Sequence, residues 1–462
     1  MGITMQVIGF VLSLGFLVLT HELGHFFFAK LFKTRIDKFY LFFNPWFSIL
    51  RVKKYDGKYH FSLFSTKSPE AWASHPDKTE WGIGWLPLGG YCAINGMVDE
   101  TQKASDLSAE IQPYEFRAKP AWQRLLIVLG GVLVNFVSAI LIYAFLLFKF
   151  GESYIPMENA HYGLQFTEIA QNIGFKNGDK IISMQGKPVP TAHDFSYSLL
   201  LDTPDTVIVL RDKDTIVVRV PQDFAQQVLR DKTKAGICSY NFPFVIDSVL
   251  PNSPANKADL RRGDSLIGVE HTPVFSSFDY QRIFTSRKNQ EILLNVSRLD
   301  SSILIPVVPD TQGHIGVSYK DVTHFLPVHT ITYNLLESFP RGIALGWEKL
   351  SSYVKQFKLF KTKEGVSQMG GFITIGSIFS KTWNWEHWWN ITAFLAIILA
   401  FMNFLPIPAL DGGYILFILF EIITRKKPSD KFLGYANTVG FTLLLLLILY
   451  ANGMDILRLF FK

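Results

Sequence analysis

The chain holds only two cysteines, Cys92 and Cys238, in 462 residues. Two thiols build neither a disulfide framework nor a four-cysteine zinc module, and the topology argued below sets them on opposite sides of a membrane. Charge is sparse as well: 18% of residues are Asp, Glu, Lys or Arg, with a formal net charge of +6. No arginine-rich tract or nucleic-acid motif stands among them, which sets nucleic acid aside as a partner and assigns the basic excess to membrane flanks. The first residues lack the basic region of a cleavable signal peptide. They also carry the histidines described next, so the segment is expected to be retained. What the sequence has in quantity is apolar residues, 48% of the total, and they gather in runs long enough to cross a bilayer.

The first such run, from about Met5 to Leu31, contains Thr20-His21-Glu22-Leu23-Gly24-His25. Positions i and i+4 share one face of a helix, so His21 and His25 can aim two imidazoles at one metal ion. Glu22 projects beside them, where a carboxylate can take a proton from water at the metal. Ionisable groups inside a bilayer are costly and mark function. Lys30 follows His25 by about 7–8 Å of helix, so the cluster is expected near one membrane face.

Three further spans are read at about Leu125 to Phe148, Trp388 to Leu405 and Phe432 to Tyr450. Their basic flanks are Lys30, Lys33, Arg35 and Lys38, then Lys119 and Arg124, then Arg425-Lys426-Lys427 with Lys431 beyond. Four spans put all of these on one side, which the positive-inside rule makes cytoplasmic. The termini and the central region then face outward.

Two histidines leave zinc short of ligands, since a catalytic site takes about three protein ligands and keeps one position open. The third span is interrupted by Asn403-Phe404-Leu405-Pro406-Ile407-Pro408-Ala409-Leu410-Asp411-Gly412-Gly413. Prolines and glycines break the helix there, and broken backbone at membrane depth is tolerated only against protein or a wet cavity. Asp411 is therefore the best third ligand. Asn403 is a buried amide that could bond a substrate backbone or a developing oxyanion, or simply link helices. Asn135, in the second span, is read as a helix-packing residue. His60, His75, His161, His271, His314 and His387 are scattered and read as structural or solvated.

Between spans one and two, Asp56-Gly57 separates two β-type runs and predicts a hairpin. Gly82 to Ile94 is apolar, glycine-rich and too short to cross. It suits a loop or hairpin dipping into the membrane beside the site, with a strand edge near Leu86 to Ile94 that could capture an unwound peptide. The stretch from Asp99 to Glu115 is polar and reads as a loop. In the central region Lys176-Asn177-Gly178-Asp179-Lys180-Ile181-Ile182 recurs as Arg261-Arg262-Gly263-Asp264-Ser265-Leu266-Ile267, each copy flanked by β-type runs. The pair resembles tandem PDZ domains. Apolar groups at Ile331, Leu335, Phe339, Ile343, Trp347, Leu350, Val354 and Phe357 predict an amphipathic helix, lying on the outer membrane surface or packed on the second β-rich module.

Taken together, these residues resemble the site-2 protease family of intramembrane zinc peptidases. The matching marks are His21-Glu22-Leu23-Gly24-His25, Pro406-Ile407-Pro408-Ala409-Leu410-Asp411-Gly412-Gly413, Pro87-Leu88-Gly89-Gly90-Tyr91 and Gly130-Gly131-Val132-Leu133-Val134-Asn135-Phe136. Val132 stands where the family usually has proline, and the segment from Tyr55 to Glu115 is longer than the family pattern. The resemblance implies one zinc ion per chain held by His21, His25 and Asp411, with Glu22 activating water. It implies substrate contacts at Asn403 and at the re-entrant Leu88, Gly89, Gly90 and Tyr91. The substrate would be a transmembrane helix already trimmed on its outer side, such as an anti-sigma factor remnant or a leftover signal peptide. The PDZ modules would exclude bulky outer domains.

The expected fold class is a polytopic α-helical membrane protein, with four transmembrane helices, a re-entrant β-element and two tandem β-rich PDZ-like domains. Residues 1–32 form span one, 33–120 the cytoplasmic-side region and 121–150 span two. The PDZ-like domains occupy 151–230 and 231–325. Residues 326–386 hold the amphipathic helix and a glycine-rich connector, 387–424 the broken third span with a short helix, and 425–462 the basic loop and last span. The protein is expected as a monomer in a bacterial inner membrane, with its active site toward the cytoplasmic face and the PDZ-like domains periplasmic. Two other readings compete. A metal carrier has no need of Glu22 beside the ligands, and a PDZ docking protein with mere anchors leaves the polar residues of spans one and three without a role.

Overall fold

Thirty residues without a proline, apolar but for one polar cluster, make α1 (Gly2–Leu31). The computed structural model describes residues 2–97, 110–231, 236–299 and 301–460. Most of the polar stretch read as a loop, residues 99–109, lies outside the described residues. The chain divides into two units: Met1–Gly151 with Thr332–Lys355 and Met369–Lys462, and Glu152–Ile331 with Gln356–Gln368.

Among the described residues, four helices are long and apolar enough to cross a membrane, all in the first unit: α1, α2 (Ala121–Phe150), α4 (Trp385–Phe404) and α6 (Asp430–Phe460). The amphipathic segment becomes α3 (Leu335–Gln356), and the short helix after the break is α5 (Asp411–Thr424). The protein is therefore an integral membrane protein that also carries β-sheet domains. α1 and α2 meet backbone to backbone. A Cβ on Gly24 would lie 2.2 Å from the Gly130 carbonyl oxygen, so only glycine permits the approach. α4 packs on α2 through Ala393, Ala396 and Ile397 against Ala139 and Tyr143. The Trp388 indole donates to the Gly9 carbonyl at 2.9 Å, and Thr392 donates to Ser13 at 3.0 Å.

α3 touches α2 through small residues that the apolar periodicity did not mark. Ser338, Gly342 and Gly346 are its buried positions, four residues apart, and a Cβ on Gly342 would lie 2.9 Å from the Ala144 nitrogen. Leu335, Phe339, Ile343, Trp347 and Val354 remain 40–65% exposed. The helix begins at Leu335, capped by Asn334 Oδ1, which accepts from the Leu336 and Glu337 nitrogens at 2.9 and 3.0 Å, and His329–Ile331 before it pairs with Glu152–Tyr154.

Between α1 and α2 lies a five-stranded sheet of β1 (Ile36–Leu41), β2 (Phe43–Tyr55), β3 (Lys58–Ser65), β4 (Glu80–Leu86) and β5 (Tyr91–Ile94), in the order β3-β2-β4-β1-β5. β2 and β3 form a hairpin closing at Asp56-Gly57. The Gly82 to Ile94 stretch is not a hairpin. β4 pairs parallel with β1 and β5 antiparallel with it, so β1 separates them and Pro87–Gly90 arches across. A buried network fastens the sheet: Arg51 donates to Glu80 at 3.1 Å, and Tyr40 and Ser68 donate to the same carboxylate at 2.5 and 2.7 Å. Burial pushes the Glu80 carboxyl upward, but these donors and Lys38 outweigh it and hold the group below the usual range.

The second unit contains two hydrophobic cores, one around Phe166, Phe175, Phe195 and Val209, the other around Ile246, Tyr280, Leu294 and Val296. The repeated motif carries the same device in each. Gly178 and Gly263 take φ of +94° and +93°, and the next aspartate turns inward. Asp179 accepts from the Lys176 nitrogen at 2.9 Å and from Arg211 Nε and Nη2, both at 2.8 Å. Asp264 accepts from the Arg261 nitrogen at 2.8 Å and from Arg298 Nε and Nη2, both at 2.7 Å. The first core extends beyond residue 230. Ile237 belongs to it, and Cys238–Tyr240 pairs with Leu164–Phe166. Neither cysteine is in a disulfide.

Candidate metal centre

His21 and His25 lie one turn apart on α1, and their Nε2 atoms are 3.2 Å from each other. The third group arrives from α5. α4 ends at Phe404, and the chain unwinds through Pro406 and Pro408 before helix resumes at Asp411. Gly412 and Gly413 make that restart possible, since Cβ atoms there would lie 1.9 Å from the Leu405 oxygen and 2.7 Å from the Pro408 Cα. Asp411 Oδ2 then stands 3.2 Å from His21 Nε2 and 3.4 Å from His25 Nε2.

These spacings test the fit to zinc. Two ligands on tetrahedral arms of about 2.0–2.1 Å are separated by about 3.3 Å, which the three distances match. The donor set, two imidazoles and a carboxylate, is one zinc accepts. The three side chains are only 13, 10 and 16% exposed. Asp411 Oδ2 is buried with no hydrogen-bond donor of good geometry among the described residues, a costly position for a carboxylate oxygen unless something positive sits against it. Among the described residues this is the group of histidine, cysteine and acidic side chains close enough to hold an ion.

The surroundings orient the imidazoles. His25 Nδ1 is 2.9 Å from the Ile127 carbonyl oxygen, so it donates there and leaves Nε2 as an acceptor. His21 Nδ1 is 3.4 Å from the Asn135 side-chain nitrogen, and Thr20 donates to Asn135 Oδ1 at 2.8 Å. Asn135 thus does more than pack helices: it is fully buried against a candidate ligand. The signal available in the sequence was an amide in an apolar span. Gly131, part of a family motif in the sequence, also serves the site. A Cβ there would lie 2.5 Å from His25 Nε2 and 2.6 Å from the His21 ring, so the second glycine of the pair makes room for both imidazoles.

The remaining expected residues line one cavity of about 310 Å³ with the cluster. Glu22, Asn403, Leu88, Gly89, Gly90 and Tyr91 all border it, and Leu14, Val18, Phe43 and Leu399 supply apolar wall. The Asn403 amide nitrogen lies 3.3 Å from His21 Nε2. Among the described residues β5 ends the sheet order.

The model of peptidase family M50 matches residues 9–66 and 65–447. The chain belongs to this family. It is a zinc metalloprotease. Curated relatives match along their whole lengths. A candidate zinc metalloprotease of Neisseria meningitidis is 25% identical, over 98% of this chain and 99% of its own. One of Ralstonia nicotianae is 24% identical over 99% of each. The regulator of sigma-E protease RseP of Salmonella typhimurium is 24% identical, over 99% of this chain and 100% of its own.

Proposed function

We propose that this M50 protein is an intramembrane endopeptidase that hydrolyses peptide bonds within transmembrane helices, with His21, His25 and Asp411 holding zinc and Glu22 as the base. The observation that carries the reading is the convergence of the three ligand atoms, 3.2–3.4 Å apart, from two separate apolar segments. Zinc bound there supplies Lewis acidity toward a peptide carbonyl and acidifies water.

The chain's own residues supply the rest. A helical peptide bond is shielded by its hydrogen bonds and packing, so the substrate must be unwound. β5, at the end of the described sheet order, and the turn at Leu88, Gly89, Gly90 and Tyr91 offer backbone partners to an extended segment. Glu22 takes the proton of the attacking water and delivers it to the leaving amine. The Asn403 amide donates to the carbonyl oxygen as charge develops on it. The apolar wall keeps bulk water from the site.

The shared Asp–Arg device supports reading residues 151–230 and 231–325 as two related modules of PDZ type; their proposed role is a size filter on the outer side of a bacterial inner membrane. The regulator of sigma-E protease among the relatives supports substrates such as anti-sigma factor remnants, in regulated intramembrane proteolysis. The test is cleavage of a model transmembrane substrate by the reconstituted protein and by Glu22→Gln. The variant is expected to keep its zinc and lose cleavage. Equal cleavage by both removes Glu22 from the chemistry.

A further inference from the structure

The five-stranded sheet has two unlike faces. One carries Arg51, Lys53 and Glu80 and is covered by the chain that follows β3: Lys53 donates to the Trp72 carbonyl at 3.1 Å, and Trp72 itself is 3% exposed. The other face is open and apolar. Strand register sets Leu63 and Phe61 of β3 beside Leu50 and Val52 of β2, and these beside Ile83 and Trp81 of β4. Phe61 and Leu63 are each 65% exposed, Trp81 39% and Ile83 36%.

This open face is the one turned toward α1. Phe26 packs on Trp81 at 5.0 Å and on Phe39 at 5.6 Å between ring centres. Beyond that contact Phe61 and Leu63 of β3 stay exposed. On α1 itself Leu23, Phe27 and Leu31, four residues apart, are 38, 59 and 58% exposed, the surface a membrane span presents to lipid. Cations stand at the rim: Lys30 lies 5.6 Å from the Phe26 ring and Lys54 5.0 Å from that of Tyr59.

We propose that the open face formed by β2, β3 and β4 is a lipid-binding surface, lying in the interfacial zone of the bilayer and continuous with the lipid-facing side of α1. The occupant follows from that continuity and from the polarity. An apolar patch rimmed by lysines, next to a transmembrane helix at its basic end, meets acyl chains with its centre and headgroups with its edge. A peptide substrate has its own place at the opposite end of the sheet, along β5. The inference does not depend on which residues bind zinc or move protons.

The test uses the full chain in phospholipid nanodiscs, with photoreactive benzoylphenylalanine replacing Phe61 or Leu63, and exposed Glu70 of the covering segment as control. Zinc content equal to that of the unsubstituted protein certifies the fold, and the two positions back each other up. Illumination is expected to give adducts of phospholipid mass at Phe61 and Leu63, at least tenfold above those at Glu70. Adducts to a second copy of the chain, adducts to an added transmembrane peptide, or lipid labelling no greater than at Glu70 would overturn the proposal.

Discussion

Replacing Asn135 by alanine removes a side chain that touches neither substrate nor any proposed ligand atom, yet it should weaken zinc binding. For His21 to offer Nε2 to a metal, its Nδ1 must carry the proton and find an acceptor. Asn135 is the polar group in place, 3.4 Å away and fully buried. Its amide can turn by half a rotation to present oxygen, because the two ends are nearly the same size, and Thr20 then accepts from the amide nitrogen while donating to the Phe16 carbonyl, 3.0 Å away. Without it a buried N–H loses its partner, a cost of about 1–3 kcal/mol. At roughly 1.4 kcal/mol per decade, and with outer partners of metal ligands generally worth about 10–100-fold, the zinc dissociation constant should rise about 10–100-fold. The assay is competition with a chromophoric chelator in detergent, with the thermal unfolding midpoint measured in parallel. Asn135→Asp keeps an acceptor and should retain most of the affinity. Wild-type affinity in a folded alanine variant would refute the argument, as would equal losses in the alanine and aspartate variants.

Gly131→Ala places a methyl 2.5 Å from His25 Nε2, so it should abolish measurable zinc retention on a desalting column, whereas Gly376→Ala, where a Cβ meets nothing, should not. Arg124 on α2 holds Glu421 near the end of α5 at 2.6 Å, both largely buried. Glu421→Gln should loosen the helix that begins with Asp411 and lower zinc affinity, and the exchange Arg124→Glu with Glu421→Arg should restore part of it. In the second unit, burial raises the Asp264 carboxyl, but Arg298 and the Arg261 backbone outweigh it and hold it below the usual carboxylate range. A depressed carboxyl stabilises the fold above its unfolded value and loses that contribution as pH falls through the folded value. Asp264→Asn should therefore cost about 1.5–3 kcal/mol near neutral pH, read as faster hydrogen exchange in residues 244–319, and progressively less below about pH 4. Removing zinc with a chelator should abolish proteolysis and leave exchange in that region unchanged.

Much of the membrane unit was legible because its signals are local. Apolar runs long enough to cross a bilayer located four helices, since lipid forces a spanning segment to satisfy its backbone internally. His21 and His25 were paired by helical pitch, and Asp411 was singled out because a carboxylate in a broken helix at membrane depth needs a partner. The β-region was less legible. The two runs around Asp56-Gly57 announce a hairpin, but nothing in Gly82 to Ile94 says that β1, forty residues earlier, will lie between its two strands. Pairing partners distant in sequence are chosen by the packing of whole faces. Likewise α3 is amphipathic to the eye, while its contact with α2 is made by Ser338, Gly342 and Gly346, residues that carry no hydrophobic signal.

The sequence by itself therefore determined the membrane class, the helices and the chemical identity of the groups at the site, because transfer energies and helical pitch act on neighbours. Only the tertiary structure decided that Asp411 would meet the two imidazoles at bonding distance, that Gly131 would leave them space and that Asn135 would sit behind His21. Those outcomes depend on close approach between α1, α2 and α5, and close approach is set by the fit of backbones and side chains far apart along the chain.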